Sequence, residues 1–162
     1  MRNPMPQEHP EWMETLADLR ATIRYDGSRA FYSIATDAVQ MPAFESFQDA
    51  DSYYATLAHE CTHWTGSKTR LDRDFGGHRF GSEGYAVEEL VAELGAAFLC
   101  ADLELALEPR EDHASYIATW LQVLAADNRA VFTAAAHAQR AAEFINSRAT
   151  EAAAQVTTTC AA

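Results

Sequence analysis

Residues His59, Glu60 and His63, in the stretch YYATLAHECTHWTG, combine two imidazoles four positions apart with a carboxylate directly after the first. An α-helix turns once in about 3.6 residues, so His59 and His63 project side by side, at a separation that lets both rings reach one tetrahedral zinc ion. Glu60 lies beside them on the same turn. A bound divalent ion lowers the pKa of a water toward about 7, and a neighbouring carboxylate can take its proton as it attacks a carbonyl. The spacing therefore points to metal-assisted hydrolysis, with Glu60 as general base.

A catalytic zinc normally takes three protein ligands. The segment EELVAE supplies candidates in Glu89 and Glu93, four apart on an otherwise apolar stretch. Two like charges on one helix face destabilise it unless something cationic compensates, and a metal with its histidines would do so. Glu89 is assigned as the third ligand and Glu93 as the acceptor that orients a ligand histidine, with the exchange of these roles left open. Glu88 points about 100° away on a helix and is expected to be a solvated charge. The competing reading pairs Glu89 and Glu93 with Arg70 or Arg73 instead. An oxyanion donor is also needed, and His137 and then Tyr85 are the candidates.

These residues must be positioned by a surrounding fold. PEWMETLADLRATI, residues 10–23, has the period of an amphipathic helix, and RYDGSRAFYSIATDAVQMP, residues 24–42, reads as two or three short strands. Within the second segment, RAFYSIATDAVQMP is expected to offer an edge strand for an extended peptide. Helix returns from about Phe47 to Thr65, with Leu57, Cys61 and Trp64 on a face distinct from the histidines. Residues 66–82 hold four glycines and alternating charges and form a loop. From about Glu83, Val87, Leu90, Val91, Leu94 and Phe98 hold a helical period that marks a central helix. Two more helices are expected, roughly Asp112–Ala126 and Asn128–Asn146, with Asp112 and Asp127 as N-caps. The architecture is α+β, mostly α: one domain over residues 1–148 and a disordered tail over 149–162.

Composition limits the partners. The formal charge of −12 repels polyanions, and Lys68, Arg70, Arg73 and Arg79 are interleaved with Asp72 and Asp74, so this chain is expected to bind nucleic acid only weakly. No run approaches 18 apolar residues and MRNPMPQEHPEW offers no secretory signal, so the expectation is a cytoplasmic protein with no membrane contact. Cys61, Cys100 and Cys160 are widely spaced; the first two, on apolar faces, are expected to be inert buried thiols. The metal must then use histidine and carboxylate, which favours Zn2+ but also suits Mn2+, Co2+ or Ni2+.

Taken together, HECTHWTGSKTRLDRDF, FGSEGYAVEELVAELGAAFLCADL, PREDHASYIATWLQVL and FTAAAHAQRAAEFI resemble the zincin-like metallopeptidase domain of ArdC-type antirestriction proteins, which also occurs on plasmid primase-like proteins. The resemblance spans about residues 11–147. It implies a helix bearing HExxH packed on a glutamate-bearing helix, His59 and His63 as ligands, Glu60 as catalytic carboxylate and a carboxylate from EELVAE completing the site. It also implies a mobile-DNA setting but supplies no substrate; a peptide or protein substrate is the expectation from the hydrolytic residues themselves. Such proteins carry an N-terminal domain that binds single-stranded DNA. That domain has no counterpart in this sequence, so DNA contact is expected only weakly or through the missing domain.

Overall fold

The computed structural model describes residues 19, 21–76, 82–103, 105, 120, 121, 124, 125 and 127–159, the last eleven as backbone alone. Three short strands, β1 (Thr22–Arg24), β2 (Phe31–Ser33) and β3 (Ala38–Gln40), form a sheet in the order β1-β3-β2. β2 and β3 are an antiparallel hairpin in which Tyr32 faces Val39, while β1 pairs with β3 in parallel. Asp37, in the hairpin connection, adopts a left-handed backbone with φ of 47°.

β1 corrects one expectation. The helical period over residues 10–23 does not extend through Thr22 and Ile23, which are strand. Both are β-branched and both find partners across the sheet in Ala38 and Val39, so pairing remote in sequence overrides the local pattern. The rest of that expected helix lies outside the described residues, apart from Leu19 and Ala21.

Among the described residues, three α-helices can be bounded: α1 (Ala50–Thr65), α2 (Glu83–Asp102) and α3 (Ala130–Thr159). Each of the first two starts at a residue type that satisfies free backbone N–H groups. Asp49 accepts from Ser52 N at 2.7 Å, and Ser82 accepts from Tyr85 N at 3.2 Å. Ahead of α3, the Asp127 carboxylate accepts from Arg129 N at 2.9 Å. The helix expected over residues 112–126 lies outside the described residues except for 120, 121, 124 and 125. α3 runs on to Thr159, past the expected end at Asn146, so the backbone of the tail is helical where a disordered segment was expected from 149. Its run of alanines with Glu and Gln favours helix even with little to bury.

The enclosed helix is α1. Twelve of its sixteen residues are buried, against eight of twenty in α2, which packs against both α1 and α3 as expected of a central helix. α1 packs on β2 and β3 on one side and on α2 and α3 on others. Tyr53 meets Phe44, Phe47 and Tyr54 edge-on, with ring centroids 5.1 to 5.3 Å apart, and this cluster anchors its start. Closer to the histidines, α1 and α2 approach at Thr62 and Gly95. A Cβ on Gly95 would lie 2.5 Å from Thr62 Cγ2.

That approach sets the distance between the two helices that carry the candidate site. Gly95→Ala gains up to about 1 kcal/mol in helix propensity but forces a stiff β-branched neighbour aside. Overpacking of this kind costs about 1–3 kcal/mol. A lowered thermal midpoint is expected, with recovery in the Gly95→Ala/Thr62→Ala double variant; an unchanged midpoint would mean that the helices separate freely.

Candidate metal centre

α1 presents His59 and His63 one turn apart toward α2, with ring centroids 4.8 Å apart and planes at 78°. Their Nε2 atoms are 3.2 Å from each other. Each ring turns its other nitrogen to a carboxylate on α2: His59 Nδ1 lies 3.1 Å from Glu93 Oε1, and His63 Nδ1 lies 3.1 Å from Glu88 Oε1. A carboxylate facing Nδ1 selects the tautomer with the proton there. In neutral rings, the two Nε2 lone pairs then point at one another across the short gap, an arrangement that repels unless something positive lies between them.

Glu89 closes the third side. Its carboxylate oxygens are 3.6 Å from His59 Nε2 and 3.7 Å from His63 Nε2. One donor atom from each of His59, His63 and Glu89 lies within 4.8 Å of the others. Around a tetrahedral ion with arms of about 2.0–2.1 Å, ligand atoms sit roughly 3.3–3.4 Å apart, so these separations suit one divalent ion. The donors fit a metal by chemistry as well as by distance, being two imidazoles and a carboxylate in a buried setting.

The electrostatics follow from that geometry. Burial works against a charge on His59, which is 5% exposed, yet Glu89 and Glu93 outweigh it and lift its pKa to about 9. Below that pH an ion entering the site displaces a proton. Burial likewise raises Glu89, but His59, His63 and a hydrogen bond from Tyr85 hold it below the usual carboxylate range. Glu60, on the same turn of α1, is 6% exposed, and its charge acts on His59.

Glu88 departs from expectation. It is held by Arg73, not solvated: Arg73 Nε donates to Oε2 and Nη2 to Oε1, each at 2.7 Å, while His63 Nδ1 contacts Oε1. Burial would raise its pKa, but Arg73 and His63 pull it down to about 2. Arg73 therefore pairs with Glu88, not with Glu89 or Glu93, and Arg70 pairs with Asp37. The helical angle of Glu88 does not decide its role, because His63 turns its two nitrogens to different neighbours and a guanidinium arrives from the loop between α1 and α2. The signal available was the presence of three glutamates in EELVAE against two roles to fill.

The loop after α1 is folded back by its own bonds, with Arg73 N donating to Gly66 O at 3.0 Å and Leu71 N to Thr65 O at 3.0 Å. Arg70 stacks on Trp64, 4.0 Å from the ring centroid, and donates to Trp64 O at 2.6 Å. Its guanidinium also holds Asp37 and Tyr32 of the hairpin, which keeps the Asp37 carboxyl below its ordinary pKa.

The two candidate oxyanion donors fall in different places. Tyr85, one turn before Glu89, hydrogen-bonds that carboxylate. His137, on α3, packs edge-on against Phe75 with centroids 5.0 Å apart, and its Nδ1 lies 2.9 Å from Arg140 Nη2. Burial and Arg140 lower its pKa, and it is near enough to Arg73 and Glu88 to feel their charges. A cleft of about 460 Å³ opens on the same flank, lined by Phe75, Glu83, Val87 and Thr133 among others. Cys61 and Cys100 are buried and free; burial and then the Glu60 charge push Cys61 to about 12, and burial pushes Cys100 to about 11. Neither offers a thiolate near neutral pH.

Residues 10–137 match the sequence profile of a zincin-like metallopeptidase family. The chain belongs to that family. Among relatives of this zincin-like domain, y4eC of Sinorhizobium fredii (strain NBRC 101917 / NGR234) is 53% identical over 136 residues, covering 84% of this chain and 44% of that protein. The DNA primase TraC of Escherichia coli is 45% identical over 131 residues, covering 80% of this chain and 12% of that one. The fold matches the antirestriction protein ArdC of plasmid R388 in its Mn(II)-bound form, with a TM-score of 0.79 and 41% identity over 92% of this chain and 56% of that one. The metal-free form of the same protein also gives a TM-score of 0.79. The zincin-like chain thus spans less than half the length of these two sequence relatives and a little over half of ArdC.

Proposed function

We propose that this zincin-like domain is a divalent-metal-dependent peptidase in which His59, His63 and Glu89 hold the ion and Glu60 is the general base. The observation that carries the reading is the convergence of two Nε2 atoms, 3.2 Å apart, and the Glu89 carboxylate in a buried site next to Glu60. A bound divalent ion supplies Lewis acidity there, polarising a peptide carbonyl and acidifying water. Glu60 takes the proton from the attacking water and returns it to the leaving amine. Glu93 and Glu88 orient the two imidazoles, and Tyr85 steadies Glu89. His137, on the flank, is the proposed donor to the developing oxyanion, with Tyr85 as the second candidate. β2 is an edge of the sheet, with Phe31 41% exposed and the adjoining Ile34 67% exposed, and is the proposed strand along which an extended peptide pairs.

Zn2+ is the proposed ion, because two imidazoles and a carboxylate suit it. The same donors accept Mn2+, Co2+ or Ni2+, and Mn(II) occupies the ArdC relative. The purified chain should carry about one divalent ion per molecule by elemental analysis, lost in His59→Ala and His63→Ala. It should also cleave unfolded protein substrates in a chelator-sensitive way. Absence of stoichiometric metal from a folded, reconstituted wild type would remove this reading.

We infer a mobile-DNA setting, supported by relatives named for antirestriction and priming, and a cytoplasmic location. DNA contact is assigned to segments outside this domain, in keeping with the −12 formal charge. Among the described residues, no helix is long and apolar enough to cross a membrane. Weak, salt-sensitive binding of single-stranded DNA is expected in a mobility assay. Submicromolar binding at physiological salt would reassign DNA contact to this domain.

A further inference from the structure

The Arg73 side chain is 1% exposed although it comes from the loop after α1. A buried guanidinium is costly unless its donors are used, and here four hydrogen bonds engage its three nitrogens. Besides the two bonds to Glu88, Nη1 donates to Thr65 Oγ1 at 3.1 Å and Nη2 to Thr62 O at 2.8 Å. Thr62 and Thr65 flank His63 on α1, so the same guanidinium grips the turn that carries His63 and the carboxylate that faces its ring. The space for it is made by Gly66, where a Cβ would lie 2.9 Å from Arg73 Nη2.

Each imidazole turns Nδ1 to a carboxylate of α2. His63 Nδ1 lies 3.1 Å from Glu88 Oε1, and His59 Nδ1 lies 3.1 Å from Glu93 Oε1. Glu88 has both of its oxygens engaged by Arg73. Glu88 also sits directly beside Glu89 in sequence and, left free, would be a rival ligand.

We propose that Arg73 is a positioning residue for the metal site. By binding Glu88 through both oxygens, it fixes that carboxylate as the acceptor for His63 Nδ1 and keeps it out of the ion's coordination sphere. The inference rests on the proposed metal site and deepens it. Its chemical requirement is a planar two-point donor, which lysine cannot supply.

The test uses the whole chain, loaded with Zn2+, and two variants. In Glu88→Gln the shape is kept and the charged acceptor is lost, so Zn2+ affinity measured by chelator competition should fall by about 10- to 100-fold. The His63 Nδ1–H proton resonance of the loaded chain should also move upfield, because a neutral acceptor makes a weaker bond. Arg73→Lys should show both changes in the same direction, with circular dichroism confirming the fold; if it does not fold, Glu88→Gln carries the test. Unchanged affinity and an unchanged Nδ1–H resonance in a folded Arg73→Lys, or in Glu88→Gln, would overturn this inference while leaving the metal site intact. A wild type that takes up no Zn2+ would instead remove the metal-site reading itself, and this inference with it.

Discussion

Glu60→Gln is expected to retain the bound ion and the fold while hydrolysis falls by about 100- to 10,000-fold, the usual contribution of a positioned general base. The substitution keeps the side chain's shape in a site where Glu60 is only 6% exposed, and it removes the basicity that the attacking water needs. Metal content by elemental analysis should match wild type, which separates lost chemistry from a lost site. A residual rate within a few-fold of wild type would be incompatible with Glu60 as base. If wild type and variant are both inert on every peptide and unfolded protein, yet removing the ion unfolds the chain, the metal's role is to hold α1 against α2.

Glu89→Ala should lower metal affinity by more than the roughly 10- to 100-fold expected for removing an orienting partner such as Glu93. Glu89 places one oxygen near each Nε2 atom, 3.6 Å from His59 and 3.7 Å from His63, whereas Glu93 meets His59 at Nδ1, the nitrogen turned away from the site. Chelator competition on the two variants, side by side, decides the assignment. A larger loss in Glu93→Ala would make Glu93 the ligand.

The helices that carry the site were legible because local signals agree. Apolar residues recur with a helical period, and the four-residue histidine spacing puts both rings on one side. Both Glu89 and Glu93 could be nominated on chemical grounds from EELVAE alone. What local pattern could not supply was anything set by distant contacts. β1 exists because Thr22 and Ile23 pair with residues sixteen positions later. The support of His63 by Glu88 depends on Arg73, fifteen residues from that glutamate and folded back by backbone bonds to Gly66. The enclosure of α1 hid for a related reason. Its polar residues Thr62, His59 and Glu60 are buried, the first two against α2, so little of the helix is left to show a polar stripe.

The folded-back loop after α1 joins three parts of the molecule at once: Arg70 reaches the β2–β3 hairpin, Arg73 reaches α2, and both hold backbone carbonyls of α1. Amide hydrogens in the hairpin, α1 and the first turns of α2 should therefore exchange with solvent as one cooperative unit rather than in order of their depth. An ion gripped by α1 and α2 together slows that shared opening by mass action, by about 2.7 kcal/mol at a free concentration one hundred times its dissociation constant. The hairpin, though it contributes no ligand, would then gain the same protection as the histidines, carried to it through Arg70.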